Sequence, residues 1–233
     1  VNPQAILKHK GIIANPNCST IIMVMALKPI YDLAKIKRVI VSTYQAVSGA
    51  GKEGIDELDA QVREHSEGRE MTANILPSAS AEKHYPIAFN LITQIDVFCD
   101  NLYTKEEMKM VNETKKIMED YEMRITATTI RVPVYRSHSE SVNIELEKEV
   151  DLGAMREALA KFPGVTVQDD PSKQEYPMPL YTSEKDDVYV GRLRRDESCE
   201  KSYNMWVVGD QIRKGAALNT LQIAETMIKN GWI

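Results

Sequence analysis

The pattern of apolar and polar positions along the chain predicts short strands interrupted by single helices. Apolar residues recur at helical spacing in five segments: 18–33, 52–65, 104–119, 151–162 and 216–230, the last opened by Gly215. Seven β-branched or alternating segments predict strands: 38–47, 91–98, 124–135, 139–147, 164–168, 186–195 and 203–210. Because strands mostly follow strands through short turns, we expect an α+β domain with a largely antiparallel sheet.

Composition and charge narrow the possible partners. The 233 residues are 43% hydrophobic and carry a net charge of −5 with both signs interspersed, which gives no electrostatic case for nucleic acid or an anionic membrane surface. No apolar run approaches the roughly 20 residues needed to span a bilayer. Three cysteines without short spacing argue against a disulfide framework and are typical of the cytoplasm. The opening VNPQAILKHKG lacks an initiator Met and a signal-peptide core, so we expect a fragment or a single domain of a longer protein.

A glycine-rich stretch, AVSGAGKEG, has the spacing Gly49-x-Gly51-x-x-Gly54 of a dinucleotide-binding turn. A dinucleotide site also needs a second strand ending in an acid about 20 residues on, and the segment 66–84 offers neither. A phosphate loop is excluded because Glu53, and not Ser or Thr, follows Lys52. The remaining interpretations are a turn that needs small residues, or a place where a ligand approaches the backbone closely.

One cysteine is a candidate nucleophile. Cys18 lies at the predicted N-terminus of the first helix, where unpaired amides lower a thiol pKa from about 8.5 to roughly 3.5–7.5. The alternative is a buried structural cysteine, which is the interpretation that suits Cys99, whereas Cys199 lies in a charged, exposed segment. We therefore expect Cys18 to react fastest with an alkylating agent.

The candidate bases for that thiol are three histidines: His65, His84 and His138. His138 follows a predicted strand that contains Arg131, whose guanidinium could bind a carboxylate through two parallel hydrogen bonds. Either side chain could instead be structural or solvated. No cysteine and histidine lie at metal-ligand spacing, so no metal site is predicted.

Five stretches in order carry a resemblance to a known family: GIIANPNCSTIIMVMALKPI, VSTYQAVSGAGKEG, YPIAFNLITQIDVF, RVPVYRSHSESVNIEL and MWVVGDQIRKGAALNTLQIAE. From about residue 10 to the C-terminus the chain resembles bacterial aspartate-semialdehyde dehydrogenases. NPNCST followed by the later Arg-x₆-His-Ser-Glu is the most specific part of the resemblance. The family has an N-terminal dinucleotide-binding domain, which we expect to be absent before Val1 in this chain.

The resemblance implies a fold, a reaction and a domain organisation. The family is similar in fold to glyceraldehyde-3-phosphate dehydrogenases, whose catalytic domain has a largely antiparallel or mixed sheet with helices on one face and forms the dimer interface. It reduces L-4-aspartyl phosphate to L-aspartate 4-semialdehyde with NADPH, for the biosynthesis of lysine, threonine, methionine and diaminopimelate. Residues 1–13 then end the missing nucleotide domain, 14–213 form the catalytic and dimerisation domain, and 214–233 form a helix that returns to the nucleotide domain.

The resemblance also assigns roles to individual residues. Cys18 becomes the nucleophile that forms a thioester, His138 the general acid/base, and Gln45 the residue that orients the acyl group. The substrate is bound by Arg131 at its α-carboxylate, Glu106 near its amino group and Lys109 at phosphate.

The resemblance also implies three residues that contact the cofactor. Ser48 and Gly49 resemble a turn that faces the nicotinamide end of NADP, with Asn219 in the last helix as a companion. The phosphate-binding turn of the cofactor is expected upstream of Val1.

Three other functions stay open at this point. Acetylglutamyl-phosphate reductase uses the same thioester chemistry, and a cysteine peptidase or amidase could use Cys18 with His138 but would not need Arg131 or Lys109. The third alternative is a dimerising domain that binds ligand without turnover. For residues 1–233 alone, we expect little or no dehydrogenase activity.

Overall fold

A computed structural model describes all 233 residues, with six helices and six strands. The helices are α1 Cys18–Leu33, α2 Lys52–Ser66, α3 Lys105–Met118, α4 Leu152–Lys161, α5 Pro179–Thr182 and α6 Leu218–Lys229. The strands are β1 Ile36–Gln45, β2 Arg124–Arg131, β3 His138–Leu146, β4 Val165–Val167, β5 Val188–Arg195 and β6 Ser202–Gly209. Three short 3-10 turns, at Pro3–Lys8, Val47–Ala50 and Pro171–Lys173, and a π-helical turn at Arg213–Ala217 complete the secondary structure.

The strands form one mixed sheet in the order β2-β1-β3-β6-β5-β4. The three central pairs are antiparallel, and the outer pairs β1–β2 and β4–β5 are parallel. Each parallel pair has a helix in its connection, α2 and α3 between β1 and β2 and α5 between β4 and β5. The prediction of an α+β fold with a largely antiparallel or mixed sheet is confirmed.

The main core lies between one face of the sheet and α1. This helix is apolar almost all round and contacts β1, β3, β5 and β6, while α3 and α4 flank it. Inward-facing strand residues such as Val41, Val142 and Val207 pack in the same cluster as Ile22 and Leu27 of α1. No helix is both long and apolar enough to cross a membrane.

Alternate residues of the central strands lie on the sheet face opposite α1. Ile40, Ser42 and Tyr44 of β1 are all partly exposed there. Tyr44 contacts Trp206 of β6, with ring centroids 5.5 Å apart. This open face carries polar residues together with Ile40 and the aromatic pair, and the main core lies on the other side of the sheet.

Two sequence-based expectations about elements are wrong. The segment 91–98 is not a strand, because Asp96 adopts a left-handed φ of 68° that interrupts extended backbone, and only isolated bridges form, from Ile92 to Arg131 and from Phe98 to Thr104. The last helix does not open at Gly215, which lies inside the π-helical turn Arg213–Ala217 that precedes α6. The predicted helices at α1 to α4 and the other six strands are confirmed to within a few residues.

Candidate active site

The sequence-predicted residues meet where the carboxyl ends of β1 and β2, the start of β3 and the start of α1 come together. Gln45 and Arg131 are register partners at the ends of the two parallel strands. His138 opens the neighbouring antiparallel strand, and the α-helix start at Cys18 overlies the same side of the sheet. Residues separated by more than 100 positions in the sequence therefore share one site.

Cys18 is the first residue of α1, and its position is fixed by a helix cap and a glycine. The Asn17 side chain accepts from the amide of Thr20 at 3.1 Å, a cap that stabilises a helix start by about 1 kcal/mol. Gly215 lies against the nucleophile, because a Cβ added there would be 3.0 Å from Cys18 Cβ. The π-helical turn brings this glycine to the site, which is a common use of π-bulges.

The pKa of Cys18 is shifted opposite to the direction expected from its helix position. Removal from water, followed by the negative charge of Glu106, raises the pKa of the half-buried Cys18 thiol to about 12. The Ser19 amide and the Arg131 guanidinium act against this rise but do not overcome it. The expectation of a lowered pKa is therefore wrong for this structure. Cys199, and not Cys18, is the exposed thiol.

His138 is fully buried and held by the main chain of Ala46. The Ala46 amide donates to His138 Nδ1 at 3.0 Å, while Nε2 is buried without a hydrogen-bond partner. Burial, followed by the positive charge of Arg131, holds the pKa of His138 well below its usual value. The ring is therefore neutral, with one nitrogen fixed and the other unused within the chain.

Arg131 is a buried guanidinium that forms no salt bridge with any residue of the chain. Its Nη1 donates to the Ala46 carbonyl at 2.8 Å, and its Nε has no partner. The backbone is pinned by reciprocal hydrogen bonds with Ile92, of 2.8 and 3.1 Å. A buried cation without a bonded carboxylate is costly, and a bound anionic ligand would offset that cost.

Glu106 connects Asn17, which precedes Cys18, to Gln45 and Lys109. Its Oε1 accepts from Asn17 Nδ2 at 2.8 Å and from Gln45 Nε2 at 3.2 Å. Its Oε2 lies 3.4 Å from Lys109 Nζ, one helical turn along α3, and Lys109 also bonds Asp96 at 3.1 Å. Glu106 is nearly buried and Lys109 half-exposed, so the pair extends from the site toward solvent.

The glycine-rich stretch holds the site residues and does not form a pyrophosphate turn. A Cβ on Gly49 would lie 2.6 Å from Arg131 Nη1 and 3.2 Å from His138 Cε1. A Cβ on Gly54 would lie 2.5 Å from the Val47 carbonyl, so this glycine allows α2 to pack on the 3-10 turn. The interpretation as a turn that needs small residues is confirmed for both glycines.

The remaining predicted cofactor residues already have partners inside the chain. Ser48 accepts a short hydrogen bond from Gln211 Nε2. Asn219 accepts from Lys214 Nζ at 3.2 Å and donates to Asn15 Oδ1 at 2.8 Å. Asn219 thus connects α6 to the segment just before Cys18. No group of three or more His, Cys, Asp or Glu side chains is placed to hold a metal ion.

Three residues near the site escaped the sequence-based reasoning: Ala46, Gly215 and Glu140. Ala46 acts through its main chain, for which a sequence offers no signal. Glu140 could have been found, because strict alternation along β3 places it on the core face with His138 and Val142. It is fully buried, both carboxylate oxygens lack partners, and burial raises its pKa well above the ordinary value.

The variant Glu140→Gln is expected to flatten the pH dependence of stability. A carboxyl whose folded-state pKa is raised contributes stability that is fully present below its unfolded pKa of 4.5 and is lost as pH rises toward the folded value. The free energy of unfolding then falls by up to about 1.4 kcal/mol per pH unit. Glu140→Gln does not show this fall, because an amide cannot ionise. Urea unfolding between about pH 5 and pH 8 measures both proteins, with Glu145→Gln on the same strand as the control. Parallel curves for wild type and Glu140→Gln would contradict this prediction.

Comparisons with known proteins agree on one family. A family model described as semialdehyde dehydrogenase, dimerisation domain, matches residues 27–214. The chain is 54% identical over 235 residues to the aspartate-semialdehyde dehydrogenase of Aquifex aeolicus, covering 100% of this chain and 67% of that protein. It is 50% identical to the aspartate-semialdehyde dehydrogenase of Bacillus subtilis, covering 98% of this chain and 66% of that protein.

A solved structure shares the fold. The crystal structure of aspartate semialdehyde dehydrogenase II from Vibrio cholerae, complexed with ASA, superposes with a TM-score of 0.91 at 45% identity. The match covers 98% of this chain and 66% of that one. The chain therefore spans about two thirds of the length of the proteins it matches.

Proposed function

We propose that this chain, which belongs to the aspartate-semialdehyde dehydrogenase family, carries the catalytic site for converting L-4-aspartyl phosphate into L-aspartate 4-semialdehyde. The observation that carries this proposal is the buried Arg131, a cation without a salt bridge beside a buried histidine and a helix-terminal cysteine. A cysteine hydrolase would have no use for such a cation. An acyl-phosphate substrate with an α-carboxylate uses all three groups.

Cys18 would form the covalent bond in the reaction. Its sulfur attacks the acyl carbon, the bond from that carbon to the phosphate oxygen breaks, and a thioester remains on Cys18. Gln45, held by hydrogen bonds to Glu106 and Thr43, is positioned to orient the acyl group. His138, whose Nε2 is buried without a partner in the chain, would act as the general acid/base at the developing oxygen.

The two anionic ends of the substrate would be bound separately. Arg131 binds the α-carboxylate through two parallel hydrogen bonds. Glu106 binds the amino group, and Lys109 binds the phosphate. Burial opposes the charge of Lys109, but its hydrogen bond to Asp96 and the nearby Glu106 carboxylate raise the pKa above the ordinary value, so the ammonium stays charged.

We infer that the residues around this turn lie near only one end of a dinucleotide. Other atoms of the chain occupy the space beside Gly49 and Gly54, and the acidic Glu53 lies in the first turn of α2. This turn therefore offers no binding site for a pyrophosphate. We assign Ser48, Gly49 and Asn219 to the nicotinamide end of NADP. When bound, NADPH supplies the hydride that reduces the thioester.

Domain organisation and assembly follow the same proposal. The 3-10 turn Pro3–Lys8 contacts α6, which supports grouping residues 1–13 and 214–233 with a nucleotide domain. The family model of a dimerisation domain supports a dimer, and we place its interface on the open sheet face around Tyr44 and Trp206. Since none of the three cysteines forms a disulfide, we assign the protein to the cytoplasm.

The test of this function is phosphate-dependent oxidation of aspartate semialdehyde with NADP. The full-length protein containing residues 1–233 is expected to turn over aspartate semialdehyde in preference to acetylglutamate semialdehyde. The 233-residue chain alone is expected to show little or no activity, because most contacts to the cofactor lie outside it. Preference for acetylglutamate semialdehyde, or hydrolysis without NADP, would favour one of the rival functions.

The variant Gly49→Ala tests whether the glycine turn holds the site together. Its methyl group would overlap Arg131 Nη1 at 2.6 Å and crowd His138, so both side chains must shift. We expect kcat/KM in the full-length protein to fall by about 10²-fold, as for displacements of about 1 Å. Ala50→Ser on the same turn is the matched control. Wild-type kinetics for Gly49→Ala would show that this contact is unimportant.

A further inference from the structure

Asn17, the residue before the nucleophile, has all of its polar groups in hydrogen bonds. Its Oδ1 accepts from the Thr20 amide at 3.1 Å, and its carbonyl accepts from the Ile21 amide at 2.9 Å, as is usual where a helix begins. Its Nδ2 donates to Glu106 Oε1 at 2.8 Å, within the site already described. Its own amide donates to Glu113 Oε2 at 2.7 Å, and this last bond has no role in the site as described so far.

The bond to Glu113 is the only main-chain anchor directly before α1. Of residues 14–17, only Asn17 has a main-chain amide in a hydrogen bond, because Pro16 has no N–H and the other two amides have no partner in the chain. A carboxylate that accepts from an amide at a helix start forms a strong, charge-assisted hydrogen bond. Because Cys18 follows directly, the place of its main chain depends on this bond.

Glu113 reaches Asn17 from the same face of α3 as Glu106. Their seven-residue separation corresponds to two helical turns, about 10 Å along the helix axis. One carboxylate therefore holds the Asn17 side chain and the other holds its main chain. Glu113 is half-buried and forms no salt bridge, and its side chain has no other hydrogen bond in the chain. Its carboxylate therefore serves Asn17 alone.

Glu106 is poorly suited to hold the nucleophile by itself. Its Oε1 is shared between Asn17 and Gln45, and in the proposed function the same carboxylate binds the amino group of the substrate. A movement of Glu106 toward the substrate would pull on the Asn17 side chain. A second carboxylate on the Asn17 main chain keeps the start of α1 in place when Glu106 changes partners.

We propose that Glu113 is a positioning residue for Cys18, which holds the Asn17 main chain while Glu106 binds the substrate. This inference rests on the proposed function for the role that it gives to Glu106. Glu113 acts through the Asn17 amide and is not itself a catalytic residue. Its contribution is the place of an acceptor oxygen and not a negative charge near the sulfur.

Two variants of Glu113 separate the place of the acceptor from its charge. Glu113→Gln keeps an acceptor oxygen at the same distance from the helix and loses the charge. Glu113→Asp keeps the charge but is shorter by one carbon–carbon bond of about 1.5 Å, which breaks the 2.7 Å hydrogen bond. The matched control is Glu157→Asp on α4, where the exposed Glu157 pairs with Lys161.

Amide hydrogen exchange measures the hydrogen bond itself. Fragmentation mass spectrometry of the full-length protein resolves exchange at Asn17 from exchange at its neighbours. We expect the Asn17 amide to exchange at least about tenfold faster in Glu113→Asp than in wild type, and within about threefold of wild type in Glu113→Gln and Glu157→Asp. Unchanged exchange in Glu113→Asp would overturn the proposal, because the Asn17 main chain would then have another anchor.

Steady-state kinetics of the full-length protein test the consequence for Cys18. We expect kcat for the semialdehyde to fall by about 10–10²-fold in Glu113→Asp with KM within about twofold of wild type, because the nucleophile moves and the substrate-binding groups do not. Glu113→Gln should keep kcat within about threefold of wild type.

Two kinetic results would overturn the positioning role. One is a loss in Glu113→Asp that lies in KM, and the other is a loss of kcat in Glu113→Gln beyond about threefold, which decides the question even if Glu113→Asp does not fold. If wild-type protein does not turn over the semialdehyde, the proposed function fails, while exchange at Asn17 still decides whether Glu113 anchors the main chain.

Discussion

Cys18→Ser is expected to lower the turnover of aspartate semialdehyde by the full-length protein by about 10⁴-fold or more. The hydroxyl is a much weaker nucleophile than sulfur, and no other cysteine can substitute, because Cys18 alone starts α1 beside Gly215. Steady-state oxidation with phosphate and NADP measures the effect. Mass spectrometry of the denatured protein after mixing with acyl phosphate should show a covalent acyl adduct only when Cys18 is present.

The matched controls are Cys99→Ser and Cys199→Ser. Cys99 is half-buried and Cys199 is exposed, and neither forms a hydrogen bond to the site residues described above. Both variants are expected to keep activity within about twofold of wild type, since surface substitutions change little. Retention of more than about a hundredth of wild-type turnover by Cys18→Ser would rule out the thioester mechanism.

Arg131→Lys is expected to lower kcat/KM for the semialdehyde by about 10²–10³-fold, mostly through KM. An ammonium cannot bind a carboxylate through two parallel hydrogen bonds, and losing a buried charged hydrogen bond costs about 2–5 kcal/mol. The change also removes the hydrogen bond from Nη1 to the Ala46 carbonyl. Initial rates over a range of semialdehyde concentrations separate the effect on KM from that on kcat.

Arg124→Lys is the control for Arg131→Lys. Arg124 lies on the same strand, but it is exposed and pairs with Glu145 at 3.1 Å on the surface. Such pairs contribute about 0–1 kcal/mol, so the kinetics should match wild type. Equal KM values for Arg131→Lys and wild type would show that the substrate carboxylate binds elsewhere.

Much of the site could be predicted from the sequence because it depends on local patterns. Asn17 before an apolar run predicts the start of α1 at Cys18, and the strand patterns place Arg131 on a strand and His138 just before the next one. The resemblance then selected these residues from several candidates. The roles assigned to them stay predictions until the variants are tested.

The remaining features depend on tertiary structure. The pKa of Cys18 is set by burial and by Glu106, which lies 88 positions away, and a helix position alone predicts the wrong direction. The π-helical turn has no sequence signature, since it arises where Gly215 packs against Cys18. The segment 91–98 has the alternating pattern of a strand, but in the fold it forms only isolated bridges, from Ile92 to Arg131 and from Phe98 to Thr104.

The main chain of Ala46 fixes the distance between two side chains of the site. Its carbonyl accepts a hydrogen bond from Arg131 and its amide donates one to His138, so one residue sets the spacing between the two side chains that we propose bind the substrate. Neither side chain can be displaced without breaking a bond to that residue. If both side chains bind the substrate as proposed, the backbone at Ala46 would favour a four-carbon semialdehyde over a longer one.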